Sequence, residues 1–437
     1  MGAMRKNAIY MDYAATTPLD KKVKAAMTPY FNDDFGNPGS LHSFGQKAAA
    51  AVFDARRKIA LSLGCLPDEI IFTGSATEAN NLALRGAVKA WNMKHGTSRG
   101  EFSKRPKIII SAVEHESVAE TARDLEKDGV EVVVIPVSRE GIVDIKKLRV
   151  ALDNRTVLVS VMYANNEIGT IQPISKIANI IREYKQGKIA TQGLPTLRSG
   201  QVAMTDDGTL IYPLLHTDAA QAFQYLPCQV RNLGVDLMTL SAHKIYGPQG
   251  MGLLYLRSGV EIASIITGGG QERGLRSGTE NTAYIVGFGE AVRLAEAMRE
   301  KEARRVLALR DYFWNGLQKI AGVWVELNGS LEKRLPNNLN IFLNTKVRSP
   351  RADKDVGPRD DRRGVVAHDI LIALDILGVA VSAGSACHAR MTTPSRVILA
   401  LGFGAERAGS SVRFTLGRQT TKSDIDKVIV KLNTILK

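Results

Sequence analysis

An α/β fold, with one large, mostly parallel sheet and a smaller α+β domain, is predicted by three features of this 437-residue chain. Short apolar runs alternate with helical stretches between roughly residues 70 and 260. Polar motifs rich in small residues follow the C-terminal ends of those runs, where open α/β sheets bind ligands. Beyond a long helical pattern the alternation stops, and strand-like and helical segments mix.

The first strand-like run, Ala8-Ile-Tyr-Met11, lies in residues 1–25, a segment expected to pack with the small domain. Strands of the large sheet are predicted at 69–72, 107–110, 130–135, 157–161, 214–216, 237–240 and 252–256. Helices at 78–93, 117–127 and 174–184 fall between them and supply the crossovers that parallel strands need. Residues 26–285 form the predicted large domain. A helical pattern over 286–320 opens the small domain, residues 286–437, with strands at 339–343 and 411–415 and helices at 369–377 and 425–436. Ser423 and Asp426 have the spacing of a capping box for the last helix. Residues 186–213 and 345–364 read as insertions, the second rich in Arg, Asp and Pro.

Composition narrows the function classes. A hydrophobic content of 44% with mixed charges is that of an ordinary globular protein, and no uncharged apolar stretch reaches the ~18 residues of a membrane span. Cys65, Cys228 and Cys387 are far apart and odd in number, which excludes a disulfide framework or paired metal ligands and suits a reducing cytoplasm. No intrinsic metal site is expected. The net charge of +14 raises nucleic-acid binding, but the basic residues are scattered and no nucleic-acid motif accompanies them. An acidic protein partner accounts for the charge at least as well.

Two residues stand out at strand ends: Asp218 in Leu214-Leu-His-Thr-Asp-Ala-Ala-Gln221, and Lys244 in Leu240-Ser-Ala-His-Lys244. Each alone reads as a turn residue or a surface lysine. Together they are what pyridoxal phosphate requires: an amine to bind its aldehyde, and a carboxylate to keep the ring nitrogen protonated. Phe72-Thr-Gly-Ser-Ala-Thr-Glu78 joins a strand to a helix, and fits either a phosphate cradle using Thr77 or a simple N-cap. His115, after Ser111-Ala-Val-Glu114, fits ring stacking, proton transfer or a structural loop. Asn166, in Tyr163-Ala-Asn-Asn-Glu-Ile-Gly169, fits a ligand contact or an Asx turn. The segment from Gly268 to Asn281 is dense in Gly, Arg and hydroxyls, and fits an anion-binding loop or a linker. Cys387 follows Val381-Ser-Ala-Gly-Ser-Ala386, where small neighbours leave a thiol unobstructed; this favours a nucleophile over a buried structural cysteine. Cys65 and Cys228 lack that setting. Arg413, inside an apolar strand, calls for a carboxylate from a substrate or from within the protein.

This ordered set resembles the cysteine desulfurases of the IscS/NifS-like group, which have the class V aminotransferase fold. The likeness runs from Tyr10-Met-Asp-Tyr-Ala-Ala-Thr-Thr-Pro18 through Gly36-Asn-Pro-Gly-Ser40, the Thr77 loop, Glu114-His115, Asn165-Asn-Glu-Ile-Gly169 and Asp218 to Gln221. It continues through Ser241-Ala-His-Lys244, Arg276-Ser-Gly-Thr279, Ser385-Ala-Cys387 and Ser411-Val-Arg-Phe414. The resemblance implies a pyridoxal-phosphate-dependent transferase of fold type I that converts L-cysteine to L-alanine and passes the sulfur to an acceptor. The acceptor would serve iron–sulfur cluster, thio-cofactor or tRNA synthesis.

Residue roles follow from the same resemblance. Lys244 holds the cofactor and moves protons, Asp218 pairs with the pyridine nitrogen, Gln221 with the ring oxygen, and His115 stacks on the ring. Ala76, Thr77, Ser241 and His243 hold the phosphate, joined across a homodimer by Thr279 of the neighbouring subunit. Asn166 and Arg413 orient the substrate. Cys387 takes the sulfur as a persulfide and, with a scaffold partner, serves as a transient iron–sulfur ligand. Gly74-Ser-Ala-Thr77 departs from the family's usual Ser-Gly-Ala-Thr, and the chain stops at Lys437, so the tail that docks an iron–sulfur scaffold is expected to be short. The alternatives are a selenocysteine lyase or another enzyme of this fold, and a non-catalytic scaffold.

Overall fold

A computed structural model describes residues 8–95, 105–191, 212–345, 367–384 and 394–436. Its twelve strands are β1 (Ile9–Tyr10), β2 (Ile70–Thr73), β3 (Lys107–Ser111), β4 (Glu131–Ile135), β5 (Thr156–Ser160), β6 (Leu214–Asp218), β7 (Leu237–Ser241), β8 (Gly252–Leu256), β9 (Val323–Leu327), β10 (Asn338–Thr345), β11 (Val379–Ala380) and β12 (Ser411–Thr415).

Seven strands form the large sheet in the order β2-β8-β7-β6-β5-β3-β4. The pairs from β7 through β4 are parallel, and only β8 runs against its neighbours β2 and β7. Buried on both faces, β2, β3, β5, β7 and β8 are largely apolar runs rather than alternating ones, as covered parallel sheets require, and β6 is buried throughout but turns polar from His216 to Asp218. Successive residues still point to opposite faces. Ile109, Val159, Leu215 and Met238 enter one core, while Ile108, Leu158, Leu214 and Leu237 enter the other. The second core is closed by the helices Ala76–His95 and Glu116–Lys127 through Leu82, Ala83, Val118 and Ala122.

The first core is closed by the helix Thr282–Leu317 and by a 21-residue helix, Ser43–Leu63, that the sequence reading did not identify. Its buried stripe, including Ala48, Val52, Ala55, Ile59 and Leu63, has helical spacing, but the alanines blur the apolar signal. Small residues are needed there because the two helices nearly touch: a Cβ on Gly289 would sit 2.9 Å from Ala55 Cα.

The antiparallel order β12-β10-β9 makes a separate three-stranded sheet. Its core holds Leu339, Ile341, Val412 and Phe414 together with Phe313 and Leu317 of the long helix and Ile425, Val428 and Leu432 of the last one. Ile9 and Met11 join this core, and β1 pairs in parallel with β11. The long helix therefore serves both cores, with Phe288 and Val292 in one and Phe313 and Leu317 in the other. β9 was not predicted; Val323, Val325 and Leu327 are only half-buried there, and Trp324 faces outward. The last helix starts at Lys422, which corrects the expected cap. Thr421, not Ser423, has the extended cap conformation, and its Oγ1 accepts from the Asp424 amide at 3.2 Å while Asp424 Oδ2 accepts from the Thr421 amide at 2.9 Å. Asp426 accepts from the Tyr312 hydroxyl at 2.6 Å instead.

Candidate active site

β2, β3, β5, β6 and β7 all end on the same edge of the large sheet, so their following turns converge on one cavity of about 390 Å³. That volume suits a cofactor-sized ligand. Ala76, Thr77, His115, Asn166, Asp218, Gln221, Ser241, His243, Lys244 and Arg413 all line it. Thr279 is exposed and is not among the lining residues, and Cys387 lies outside the described residues.

Asp218 is the last residue of β6 and is buried; its Oδ2 accepts from Asn80 Nδ2 at 2.8 Å and its Oδ1 from the Ala220 amide at 2.9 Å. Asn80 was missed in the sequence although it lies one helical turn beyond Thr77, the one signal that could have marked it. Its Nδ2 also donates to Ser117 Oγ at 2.8 Å. Lys244 closes the short 3₁₀ turn after β7, and its Nζ donates to the carbonyls of Ala14 and Ala15 at 2.6 and 2.8 Å. Gln221 Nε2 reaches the same Ala14 carbonyl at 2.9 Å, so the N-terminal segment forms one wall of the cavity.

Another wall has the chemistry of an anion site. Ala76 opens a 20-residue helix whose first-turn N–H groups point outward without helical acceptors, and Ser241 and His243 join them. Ser75 takes the cap position, accepting from the Glu78 amide at 3.1 Å, so cap and cradle occupy adjacent residues in one turn. β8 begins hard against this turn: a Cβ on Gly252 would lie 2.3 Å from Ser75 carbonyl carbon and 2.6 Å from Ala76 N. Glu78 ties the turn to the Gly268–Asn281 segment, accepting from Arg276 Nε at 2.8 Å.

His115 caps the helix Glu116–Lys127, with Nδ1 accepting from the Ser117 amide at 3.1 Å. The neutral ring therefore carries its proton on Nε2, and burial lowers its pKa, holding it neutral. Burial also pushes His243 down to about 4. Glu114, just before His115, is pushed up to about 8 by burial; its Oε1 accepts from the Ser111 hydroxyl and from the Met162 amide.

Arg413 sits 1% exposed on β12, with Nη2 on Asp12 Oδ1 at 2.7 Å and Nη1 donating to the Asn166 carbonyl at 2.9 Å. Its buried Nε has no partner among the described residues. Both sequence readings thus meet at one residue: an internal ion pair holds the guanidinium, and the guanidinium borders the cavity. Burial pushes the thiols of Cys65 and Cys228 up to about 12, which disfavours a thiolate at either, and neither lines the cavity.

Pyridoxal phosphate fits this donor set. The cavity offers an amine, a buried carboxylate and a helix N-terminus with hydroxyls, each following a different strand of the large sheet, and a guanidinium from the middle of β12. The class-V aminotransferase family pattern matches residues 9–203 and 212–428, breaking only inside one segment read as an insertion. A protein of Dictyoglomus turgidum named cysteine desulfurase IscS is 42% identical over 98% of this chain and 96% of its own. A solved NifS-like protein superposes with a TM-score of 0.80 at 30% identity, covering 98% of this chain and 99% of its own. A structure described as SspA in complex with cysteine does so with a TM-score of 0.71 at 31% identity, over 93% and 98% of the two chains. With sequence and fold matched over nearly the whole length, the chain belongs to the class-V aminotransferases, in their IscS/NifS-like group of cysteine desulfurases.

Proposed function

We infer that this protein is a pyridoxal-phosphate-dependent cysteine desulfurase that converts L-cysteine to L-alanine and leaves the sulfur on Cys387 as a persulfide. The observation that carries this reading is that Asp218 and Lys244, at the ends of the neighbouring strands β6 and β7, face one cavity with Arg413 of β12. When bound, the cofactor supplies an electron-withdrawing ring that eases bond breaking beside the substrate's amino carbon. Lys244 Nζ would hold it and would move protons at the substrate. Asp218, fixed by Asn80 and the Ala220 amide, keeps a proton on the ring nitrogen. The first turn of the helix Ala76–His95, with Thr77, Ser241 and His243, takes the phosphate, and His115 lies against the ring. Arg413 and Asn166 orient the substrate carboxylate, a role that fits the unpartnered Arg413 Nε. Overall, the cysteine Cβ–S bond breaks, a C–H bond replaces it, and a sulfur–sulfur bond forms on Cys387. One thiol becomes a persulfide as the substrate becomes alanine, so no outside oxidant is needed.

The wider reading is a cytoplasmic homodimer that passes its sulfur to an iron–sulfur scaffold or thiolation relay. Residues 26–285 hold the cofactor, and residues 286–437 carry the cysteine. The dimer is supported by exposed Phe31, Phe35, Leu41 and Phe44, a density of bare aromatic and aliphatic side chains expected of an interface. Thr279, exposed and away from its own cavity, suits a contribution to the partner's phosphate site.

Incubation with L-cysteine should yield alanine and one sulfur atom on the enzyme, released as sulfide by a thiol reductant. Cys387→Ser should keep the cofactor and lose that sulfide. Borohydride should fix the cofactor to the wild type but not to Lys244→Ala; fixation at another lysine, or normal turnover by Cys387→Ser, would overturn the reading.

A further inference from the structure

We propose that Glu167 is a positioning residue, whose buried carboxylate lies between the points at which the chain leaves and re-enters around Cys387 and is hydrogen-bonded to the second of them. The inference rests on the desulfurase reading, because it assigns a purpose to geometry that surrounds the proposed nucleophile's segment.

Glu167 follows Asn166 in the turn after β5 and is buried. Its backbone is held from two directions: its amide donates to Asn165 Oδ1 at 2.8 Å, and its carbonyl accepts from Asn338 and Asn340 of β10 at 3.1 and 3.2 Å. The carboxylate then projects to the two ends of the cysteine-bearing segment. On the downstream side, Ser395 Oγ donates to Oε2 at 2.6 Å. On the upstream side, the Cβ position of Gly384 lies 3.1 Å from the same Oε2 and 3.7 Å from Ser395 Cβ. Both ends therefore lie beside one oxygen atom, and the Ser395 hydroxyl bonds it. Gly384 has a φ of +73°, a conformation that glycine adopts without strain.

Each end is also fastened to a residue of the cavity. Ser382 and Arg413 exchange backbone hydrogen bonds at 2.6 and 3.3 Å, so the upstream end is stapled to the strand of the substrate-facing arginine. Downstream, Arg396 Nε donates to Glu116 Oε1 at 3.3 Å, beside His115. Ser395 Oγ also accepts from the Ile398 amide at 3.2 Å, so one hydroxyl caps the following helix and donates to Glu167. Glu167 places an acceptor for Ser395 next to Asn166, which couples the segment's base to the cavity wall. Anchoring the chain at Ser395 fixes the downstream end of the cysteine-bearing segment against the cavity wall, which favours sulfur transfer to Cys387.

The test separates cofactor events from thiol events. Glu167→Ala and Ser395→Ala should each slow transfer of labelled sulfur from L-cysteine to Cys387 by roughly tenfold. The double variant should be no slower than either single one, because both remove one shared contact. Cofactor occupancy, and the concentration dependence of the spectral change on mixing with L-cysteine, should match the wild type. Glu167→Gln keeps an acceptor for Ser395 and should recover transfer to within about twofold. Wild-type transfer in Glu167→Ala, or additive losses in the double variant, would overturn the proposal. Parallel loss of cofactor binding and transfer would do the same by showing a merely structural role. Should Glu167→Ala fail to fold, Ser395→Ala makes the same prediction from the other end and decides it. If the wild type itself transfers no sulfur from L-cysteine, the desulfurase reading falls first.

Discussion

Asp218 and Lys244 are both held by protein hydrogen bonds, the first as acceptor and the second as donor, and this sets what substitutions at the site should do. Asp218 has both oxygens occupied by protein donors, so its position does not depend on a ligand. Asp218→Asn should therefore leave the fold intact and the cofactor covalently attached, yet lower turnover by about a hundredfold or more, since a neutral amide cannot hold the ring nitrogen protonated. Steady-state kinetics beside an absorbance spectrum checks this. Gly252 is the tightest residue at the anion end. A Cβ would meet the backbone of Ser75 and Ala76 well inside contact distance. Gly252→Ala should push that turn off its place and weaken cofactor retention by about tenfold, measured by titrating the cofactor into stripped enzyme.

Elements position these residues through their ends rather than their middles. The turn after β2 is both the start of a helix and the anion wall, and the turn after β3 makes His115 a cap as well as a ring neighbour. The last helix gives a direct measure of capping. Thr421→Ala removes the hydroxyl that accepts from the Asp424 amide and donates to Asp424 Oδ2, keeps the backbone half of the box, and should cost about 1 kcal/mol in chemical denaturation. Ser423→Ala, inside the helix, should stay within about 0.5 kcal/mol of the wild type. Equal effects would return the cap to the position that the sequence spacing suggested. At the base of the cysteine-bearing segment, Gly384→Ala combines a left-handed backbone with a Cβ pressed on Glu167. It should slow sulfur transfer more than it perturbs cofactor binding.

At the scale of the whole molecule, two buried groups oppose each other across the pH range. Glu114, buried and near Asp218, keeps its proton up to about 8 in the folded state, against 4.5 when free. Between those values the unfolded chain binds fewer protons, so this group's contribution to stability falls as pH rises. His216, buried between Ser160 and Thr239, is pushed down to about 4 from 6.5, so its contribution falls as pH drops through that window. Glu114→Gln should become progressively more stable than the wild type from pH 6 to 8, with a slope approaching ~1.4 kcal/mol per pH unit. Denaturation midpoints at three pH values suffice, and a flat difference would show that Glu114 is ionised in the folded protein. Assembly belongs to this scale too. A Thr279→Ala subunit mixed with a Lys244→Ala subunit forms heterodimers in which, on the dimer reading, one site loses both groups and the other keeps both. The intact site should turn over at the wild-type rate; activity at only the Thr279→Ala level would place the threonine in its own subunit's site.

The amino-acid order alone determined the strands of the large sheet, because sheets covered on both faces need unbroken apolar runs and those runs survive in any tertiary setting. It also marked Asp218, Lys244 and His115, at the ends of such runs, and Arg413, inside one, because charged or polar residues there have few structural uses. The helix Ser43–Leu63 escaped, since its small buried stripe exists to let Gly289 approach Ala55, a fact of the partner helix and not of the segment. Asn80 and Glu167 escaped for a related reason. An asparagine in a helix and a glutamate in a turn look like surface residues until the fold buries them against Asp218 and Ser395. The pairing of Arg413 with Asp12 joins positions 401 residues apart, a separation at which local pattern carries no information. Only the closing of the N-terminal segment over the sheet edge decides that such residues share one cavity.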